Sequence, residues 1–284
     1  MTGRLEQHLN GRTLYVVSDL HMGDGSAKDN FAEYRGRFED FLGRVVERDP
    51  NGCLVLAGDV FEFWQSMHGQ VVRTYLDLLR RLVQNRSVFI VGNHDIDLLG
   101  FVGLTVDSPL IVLLTDRVLL ERGGRNFWIC HGHEFDGLND PAKAMILGRI
   151  VTLAAGQAEM WLGPKVGVES TESFLEKASL AVLSWMARRY RSWFGRTAGE
   201  KSGTGKEIDK TRVALDKYHL EHPDQILVAG HTHQAGWYGD WYVNAGSWQG
   251  SQANYVRITP EGQVALHKWP GGEIDETRLW PTGG

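Results

Sequence analysis

The sequence predicts an α/β fold in which two stacked mixed β-sheets are flanked by helices and interrupted by a helical insertion. Three observations predict it. Apolar, strand-like runs alternate with helix-like segments through the first hundred residues. Short apolar runs separated by turn residues follow, and a long helix-like stretch divides that second series. Alternating strands and helices indicate parallel pairing, whereas closely spaced strands indicate a further sheet.

The first half contains three strand-like runs and two helix-like segments in alternation. The strands are expected at 13–17, 53–57 and 88–91, and the helices at 30–47 and 71–83, where apolar residues recur at helical spacing. Alternation of this kind is typical of βαβ units. We therefore expect a sheet that is at least partly parallel.

The second half contains short apolar runs with turn residues between most of them, from which we predict a second sheet stacked near the first. These runs are 110–114, 118–120, 127–130, 226–229, 241–243, 255–258 and 264–267. A last helix is expected over 207–219. The whole chain, 1–284, is predicted to be one domain that carries a helical lid or insertion at 141–205.

Composition argues against several classes of protein. The formal net charge is −5, which leaves no overall basic surface, so nucleic acid is not an expected partner. No apolar run approaches the ~18 residues of a membrane span, and the N-terminus lacks the apolar core of a secretory signal. Cys53 and Cys130 lie in apolar runs and are predicted to be buried free thiols. We expect a cytoplasmic protein.

The insertion allows two interpretations. Its segment 174–196 has an apolar, aromatic face at helical spacing and four arginines near its end. Such a stripe is typical of a helix packed on its own domain. The alternative is a lid that contacts an anionic membrane surface peripherally and admits an acyl chain.

Five strand-like runs end in side chains that bind metals. In an open α/β sheet the carboxyl ends of the strands form the ligand site, so we expect these groups to converge. The candidate metal ligands are Asp19, His21, Asp59, Asn93, His131, His231 and His233. One such residue alone is as typical of a turn. Seven oxygen and imidazole donors are more than one tetrahedral ion can bind. Two divalent ions that share a carboxylate would use them all.

The spacing within the motifs supports this interpretation. Residues two apart on an extended segment point the same way, as in Asp19-x-His21 and His231-x-His233. Glycines before Asp59, Asn93 and His231 let the backbone approach closely. Hard oxygen donors mixed with imidazole suit Mn, Fe, Zn or Co.

The ordered set of motifs resembles the calcineurin-like metallophosphoesterase superfamily. Its pattern is Asp-x-His, Gly-Asp, Gly-Asn-His-Asp/Glu, a lone His and Gly-His-x-His, and all five blocks occur in that order from Asp19 to His233. The resemblance implies a hydrolase of phosphoester or pyrophosphate bonds. It also implies one metal held by Asp19, His21, Asp59 and His233, and a second held by Asp59, Asn93, His131 and His231.

The resemblance further implies how catalysis proceeds. A water or hydroxide between the ions would attack phosphorus in line with the leaving group. His94 would lie over the phosphate and stabilise charge or protonate the leaving oxygen, while Asp95 orients its imidazole. Each of these two residues has a plainer alternative, as a supporting histidine and as a turn aspartate. His133 either faces the substrate or hydrogen-bonds beside the ligands.

Within the superfamily, the chain is most similar to the UDP-2,3-diacylglucosamine pyrophosphatases of lipid A synthesis. Residues 58–64 match that branch's Gly-Asp-x-Phe-Glu-x-Trp element, a helical lid follows His131, and 246–248 match its Gly-x-Trp element. The similarity implies release of UMP, use of manganese and peripheral attachment to the inner membrane face. One departure is His94, because that branch usually has Arg there.

Two alternatives remain at this stage. The first is a general phosphodiesterase or Ser/Thr-type phosphoprotein phosphatase, whose insertion shapes a cleft for a soluble substrate. The second is a non-catalytic scaffold on the same fold, like the retromer subunit of this superfamily. The complete ligand set together with His94 argues against the scaffold.

Overall fold

The structure is a computed structural model, and it describes residues 2–102, 113–135, 205–251 and 253–271. The chain divides into two compact units. One comprises Met1–Glu134 with His219–Gly284, and the other is Phe135–Tyr218. In the second unit, the described residues are Phe135 and those from 205 to 218. The segment 174–196 and nearly all of the predicted insertion 141–205 lie outside the described residues, so their predicted helices and membrane contact stay predictions.

The described ranges contain these helices and strands in chain order. The helices are α1 (Thr2–Leu9), α2 (Arg35–Phe41), α3 (His68–Thr74), α4 (Leu76–Gln84) and α5 (Gly205–Glu221). The strands are β1 (Thr13–Val17), β2 (Gly52–Ala57), β3 (Val88–Ile90), β4 (Leu113–Thr115), β5 (Val118–Arg122), β6 (Arg125–Ile129), β7 (Gln225–Ala229), β8 (Gly236–Tyr238), β9 (Tyr242–Asn244), β10 (Asn254–Ile258) and β11 (Val264–Lys268). None of these helices has the length and apolar character needed to cross a bilayer.

The first sheet has the strand order β11-β10-β1-β2-β3-β4. Strands β1 to β4 are parallel neighbours, and β10 and β11 add an antiparallel edge beside β1. The parallel centre follows from the βαβ alternation. The prediction that all later strands form the second sheet was wrong, because β4, β10 and β11 pair in the first. Strand β4 pairs with the edge of β3, and β10 pairs with the edge of β1. A short apolar run predicts a strand, but it does not show which sheet the strand joins.

The second sheet has the order β5-β6-β7-β9-β8. Its centre, β6, β7 and β9, is parallel, and antiparallel strands close both edges. Both sheets are therefore mixed, and they are flanked by helices, which confirms the predicted fold class.

Two apolar layers hold the first unit together. In β2, Cys53, Val55 and Ala57 face the second sheet, and Leu54 and Leu56 face helices α2 to α4. Side chains that alternate between two buried faces are expected for a central parallel strand. Both cysteines are buried and free, as predicted.

The predicted helix 30–47 begins only at Arg35, and the predicted helix 71–83 is divided at Tyr75. One buried carboxylate accounts for both differences. Asp29 accepts hydrogen bonds from the amides of Phe31 and Ala32, which organises a turn before α2. It also accepts the hydroxyl of Tyr75 at 2.6 Å, where φ is −112° and ψ is 20° between α3 and α4.

Trp248, from the predicted Gly-x-Trp element, belongs to the core. It is fully buried, and its ring packs against Phe38 at 5.1 Å and Phe41 at 5.0 Å between centroids. Its backbone amide donates to the carbonyl of Asp19 at 3.3 Å. Trp248 therefore supports the main chain that carries Asp19.

Arg122, at the end of β5, is a buried guanidinium that ties three segments together. It donates to the carbonyls of Ile258, Thr259 and Leu9 at 2.9–3.1 Å. Burial lowers its pKa to about 10, so it stays charged at neutral pH. We expect Arg122→Met to lower the free energy of unfolding by about 3 kcal/mol, because three carbonyls lose their donor. Urea denaturation measures this, with the exposed Arg117→Met as control, and equal stability of the two variants would contradict it.

Candidate metal centre

The ends of five strands bring the candidate ligands together at one edge of the two sheets. Asp19 and His21 follow β1, Asp59 follows β2, and Asn93 follows β3. From the second sheet, one ligand follows β6 and two follow β7, namely His131, His231 and His233. Carboxyl ends of parallel strands share an edge, and the two sheets face each other, so all seven residues meet.

The main chain at this edge adopts an unusual conformation. Five of the seven candidate ligands have φ between 50° and 69°, in the left-handed region. They are Asp19, His21, Asp59, His231 and His233. Non-glycine residues in this region are uncommon and tend to mark functional sites. The chain therefore turns sharply after β1, β2 and β7, where these ligands lie.

The first cluster is formed by Asp19, His21 and His233. Nε2 of His233 lies 3.1 Å from Asp19 Oδ1 and 3.3 Å from Nε2 of His21. His21 Nε2 is 3.7 Å from Asp19 Oδ1 and 3.8 Å from Asp59 Oδ2. One donor atom from each of the three residues fits within 4.8 Å of the others, as for ligands of one ion.

The second cluster is formed by Asp59, His131, His231 and Asn93. Nε2 of His131 lies 3.1 Å from Asp59 Oδ2 and 3.0 Å from Asn93 Oδ1. Donor atoms of Asp59, His131 and His231 lie within 4.8 Å of one another. Oδ2 of Asp59 is thus near imidazoles of both clusters, which is the position that a bridging carboxylate requires.

The hydrogen bonds around the clusters show that these residues fit metal ions. His131 Nδ1 lies 3.0 Å from the Ala57 carbonyl, and His21 Nδ1 lies 3.0 Å from Glu62. Donation through Nδ1 directs each Nε2 at a carboxylate, where it can offer a lone pair to a cation or, without a cation, hold a proton. Among the described residues, Asp19 Oδ1 lies 3.1 Å from Nε2 of His233 but makes no hydrogen bond of regular geometry. Cations between these atoms would satisfy them.

The electrostatics favour positive charge at the same point. Burial alone would raise the pKa of Asp19 and Asp59, but the surrounding imidazoles lower both pKa values well below the ordinary range. Burial alone would lower the pKa of His131, but the charge of Asp59 raises it to about 10. Two fully buried carboxylates therefore stay ionised and offset the cost of bringing cations into the protein.

His94 lies beside both clusters. Its ring stacks on Trp64 at 4.0 Å and meets the His21 ring edge-on at 4.7 Å. Its backbone amide donates to Asp59 Oδ1 at 2.8 Å, and its Nδ1 lies 2.9 Å from the Glu62 carboxylate. The structure therefore places this histidine next to the centre, where the catalytic role predicted for it requires it to be.

Asp95 does not orient the His94 imidazole, and this expectation was wrong. Its two carboxylate oxygens accept backbone amides of Gly92 at 2.6 Å, Val60 at 2.8 Å and Phe61 at 3.3 Å. Burial, followed by the charge of Asp59, raises its pKa to about 6. Asp95 instead holds the β2 and β3 ends together.

Glu62 occupies the orienting position instead. It is nearly buried, and it contacts the Nδ1 atoms of both His21 and His94. Burial tends to raise its pKa, but the two imidazoles outweigh burial and lower it to about 2. The sequence held a signal for this residue, since residues 58–64 form a recognisable element, but only the fold shows what Glu62 touches.

His133 is mostly buried near the second cluster. Its ring lies 5.5 Å from that of His131 and 6.4 Å from that of His231. Burial is the main reason that its pKa falls to about 4. Within the described part of the chain, its Nδ1 makes no hydrogen bond. A side chain beside the ligands with one unbonded nitrogen leaves both predicted roles open.

Gly92 allows two strand ends to approach each other. A Cβ at this position would overlap the backbone nitrogen and Oδ1 of Asp59. We expect Gly92→Ala to displace Asp59 and to weaken metal binding by roughly 10–100-fold, as for other residues that orient a ligand. Calorimetric titration with Mn²⁺ measures this. Gly36→Ala, where a Cβ meets nothing, is the control, and equal affinities of the two variants would contradict the expectation.

The chain was compared with known families, proteins and structures. The family model described as calcineurin-like phosphoesterase matches residues 12–235, which include every candidate site residue. Among solved structures, a dimetal phosphatase from Danio rerio is similar at 13% identity and a TM-score of 0.47, with 91% of this chain and 96% of that chain covered. A protein of unknown function from Aquifex aeolicus is similar at 17% identity and a TM-score of 0.30, with 51% and 74% covered. No curated protein matches the chain.

Proposed function

Because the chain belongs to the calcineurin-like phosphoesterase family, we propose that it cleaves the pyrophosphate bond of a UDP-2,3-diacylglucosamine-like substrate, releasing UMP. The family and the clustered ligands establish the coarser function, a metal-dependent phosphoester hydrolase with a dinuclear site. The finer proposal concerns the substrate, and manganese is the proposed metal.

The observation that carries the proposal is the position of the 58–64 element. Oδ2 of its Asp59 lies near imidazoles of both clusters, its Glu62 contacts two site imidazoles, and its Trp64 stacks on His94. The residues by which the chain resembles the pyrophosphatase branch therefore lie around the reacting centre. This placement supports a shared substrate class.

The protein's own groups have separable tasks in this reaction. When bound, two divalent ions would lower the pKa of the attacking water and neutralise phosphate charge. Asp59 would place both ions, with its other oxygen held by the His94 amide at 2.8 Å. Glu62 accepts a hydrogen bond from Nδ1 of His94, and with both ring nitrogens protonated Nε2 would donate its proton to the leaving oxygen.

The experiment is incubation with UDP-2,3-diacylglucosamine and Mn²⁺, followed by chromatographic detection of UMP. Asp59→Asn, prepared identically, reports contaminating activity. UDP-N-acetylglucosamine tests whether the acyl chains matter. We expect UMP from the acylated substrate alone. Absence of UMP, together with metal-dependent turnover of bis(p-nitrophenyl) phosphate, would reject the lipid substrate and keep the hydrolase.

His94 favours a second candidate, a phosphodiesterase or phosphoprotein phosphatase that acts on a soluble substrate. A histidine at this position is typical of general phosphoesterases, and His94 lies beside the metal-ligand candidate His21. Turnover of soluble phosphodiesters or phosphopeptides without UMP release distinguishes this candidate. A purified protein that binds no transition metal would instead support the scaffold.

Contact with a membrane is part of the lipid proposal. The segment 174–196, which lies outside the described residues, combines aromatic side chains with four arginines. Aromatic and basic residues suit the surface of an anionic bilayer. Co-sedimentation with phosphatidylglycerol vesicles is expected, and it should weaken when these arginines are replaced by glutamine. No binding at low salt would remove this part of the proposal.

A further inference from the structure

We propose that Glu62 is a positioning residue that fixes the orientation of two imidazoles at once, by accepting a hydrogen bond from Nδ1 of the metal ligand His21 and from Nδ1 of the leaving-group histidine His94. This inference rests on the proposed function, because it assigns one carboxylate to both metal binding and leaving-group departure. It concerns a residue outside the expected ligand set.

The geometry that carries the inference is a shared carboxylate. Nδ1 of His21 lies 3.0 Å from Glu62 Oε2, and Nδ1 of His94 lies 2.9 Å from both Glu62 oxygens. The two rings meet edge-on with centroids 4.7 Å apart. The Glu62 side chain is only 12% exposed, so water competes little for these contacts.

A carboxylate suits this position because it only accepts hydrogen bonds. Two acceptor oxygens require a proton on Nδ1 of each ring, which leaves Nε2 of each ring to face its own task. For His21 that task is to offer a lone pair to a metal. For His94 it is to donate a proton to the leaving oxygen, so the reacting form of this ring carries a proton on both nitrogens, and Glu62 accepts the hydrogen bond from Nδ1. The contact with Trp64 holds the His94 ring from its face, so Glu62 need only define its rotation.

Glutamine cannot replace both contacts. Its amide has one oxygen, and its NH₂ group would oppose the second Nδ1 proton. In either orientation of the amide, the NH₂ group lies against Nδ1 of His94, so this ring loses the acceptor that fixes its rotation. His21 loses the carboxylate charge that strengthens Nε2 as a ligand. Glu62→Gln should therefore fold normally and fail in two measurable ways.

The first measurement is Mn²⁺ affinity by calorimetry, which does not depend on turnover. We expect Glu62→Gln to bind Mn²⁺ about 10–100-fold more weakly than the wild type, and Glu62→Asp to fall between them. The matched control is Asp97→Asn, which removes a carboxylate 3.2 Å from the exposed imidazole of His68. Its affinity should equal that of the wild type. Circular dichroism of the metal-free proteins checks that all variants fold.

The second measurement is kcat at saturating Mn²⁺ on aryl phosphodiesters with leaving groups of increasing basicity. Glu62→Gln should lose more activity as the leaving group becomes more basic. In the His94→Ala background it should cause no further change in that dependence, while it still weakens Mn²⁺ binding. A purely structural role would lower all rates alike.

Several results would overturn the inference. If Glu62→Gln bound Mn²⁺ as tightly as the wild type, the contact between Glu62 and His21 would have no role in metal binding. The contact with His94 would have no catalytic role if Glu62→Gln left the dependence of kcat on leaving-group basicity unchanged. The same would follow if its loss of activity simply added to that of His94→Ala. Failure of the proposed function looks different, because the wild type itself would then bind no Mn²⁺ or hydrolyse no phosphodiester.

Discussion

Asp59→Asn is expected to reduce turnover by about 10³-fold or more and to lower the bound metal below two ions per chain. Oδ2 of Asp59 lies 3.1 Å from Nε2 of His131 and 3.8 Å from Nε2 of His21, so its charge serves both clusters. Asparagine has nearly the same shape, and its oxygen can still accept the His94 amide. The loss should therefore come from the missing charge rather than from a disturbed fold.

Elemental analysis and steady-state kinetics on the same preparation test this expectation. Asp116→Asn is a suitable control, since Asp116 is half-exposed and contacts its chain neighbours Thr115 and Arg117, away from the clusters. Metal content and turnover of the control should match the wild type. Two tightly bound ions in Asp59→Asn, with near-normal kcat, would show that this carboxylate does not bridge the clusters.

His94→Ala should slow turnover by about 10²–10⁴-fold while the metals are retained, the usual range for a positioned acid. The side chain contacts Glu62 and Trp64 and lies beside His21, but it is not one of the seven expected ligands. The loss should be largest for substrates with basic leaving groups, which need a proton on departure, and smallest for p-nitrophenyl esters.

Measurement of kcat and KM across such a substrate series tests the role of His94. The exposed His68→Ala is the matched control and should leave every rate unchanged. A His94→Ala enzyme with full activity on all substrates would exclude general acid catalysis by this residue. If the variant instead lost its metals, His94 would have to be counted among the ligands.

The local pattern was sufficient for most strands and for the location of the centre. Runs such as 13–17 and 226–229 are strands within one residue of the expected bounds, because β-branched apolar residues have high β-strand propensity. The seven candidate ligands meet because each follows a strand end, and parallel strand ends share an edge. Convergence was therefore predictable from order and position alone.

Other features depend on contacts that a linear pattern does not contain. The strands β10 and β11 complete the first sheet because the edge of β1 is open. No residue within these two strands indicates that they pair there. Helix α1 was not predicted, since it is short and polar, and among its residues 5–9, whose burial the structure describes, Leu9 is the one that is deeply buried.

The exchange of roles between Asp95 and Glu62 has the same origin. Asp95 is adjacent to His94 in sequence, yet it turns inward to three backbone amides, while Glu62 reaches His94 from another loop.

The left-handed main chain at the ligands limits how this centre can change. Aspartate, asparagine and histidine tolerate that conformation better than longer or branched residues, so glutamate at position 19 or 59 would not be a conservative exchange. Each such residue costs roughly 1–2 kcal/mol, which bound cations offset. Chelation should then let the ends of β1, β2 and β7 exchange their amide hydrogens well before the sheets come apart.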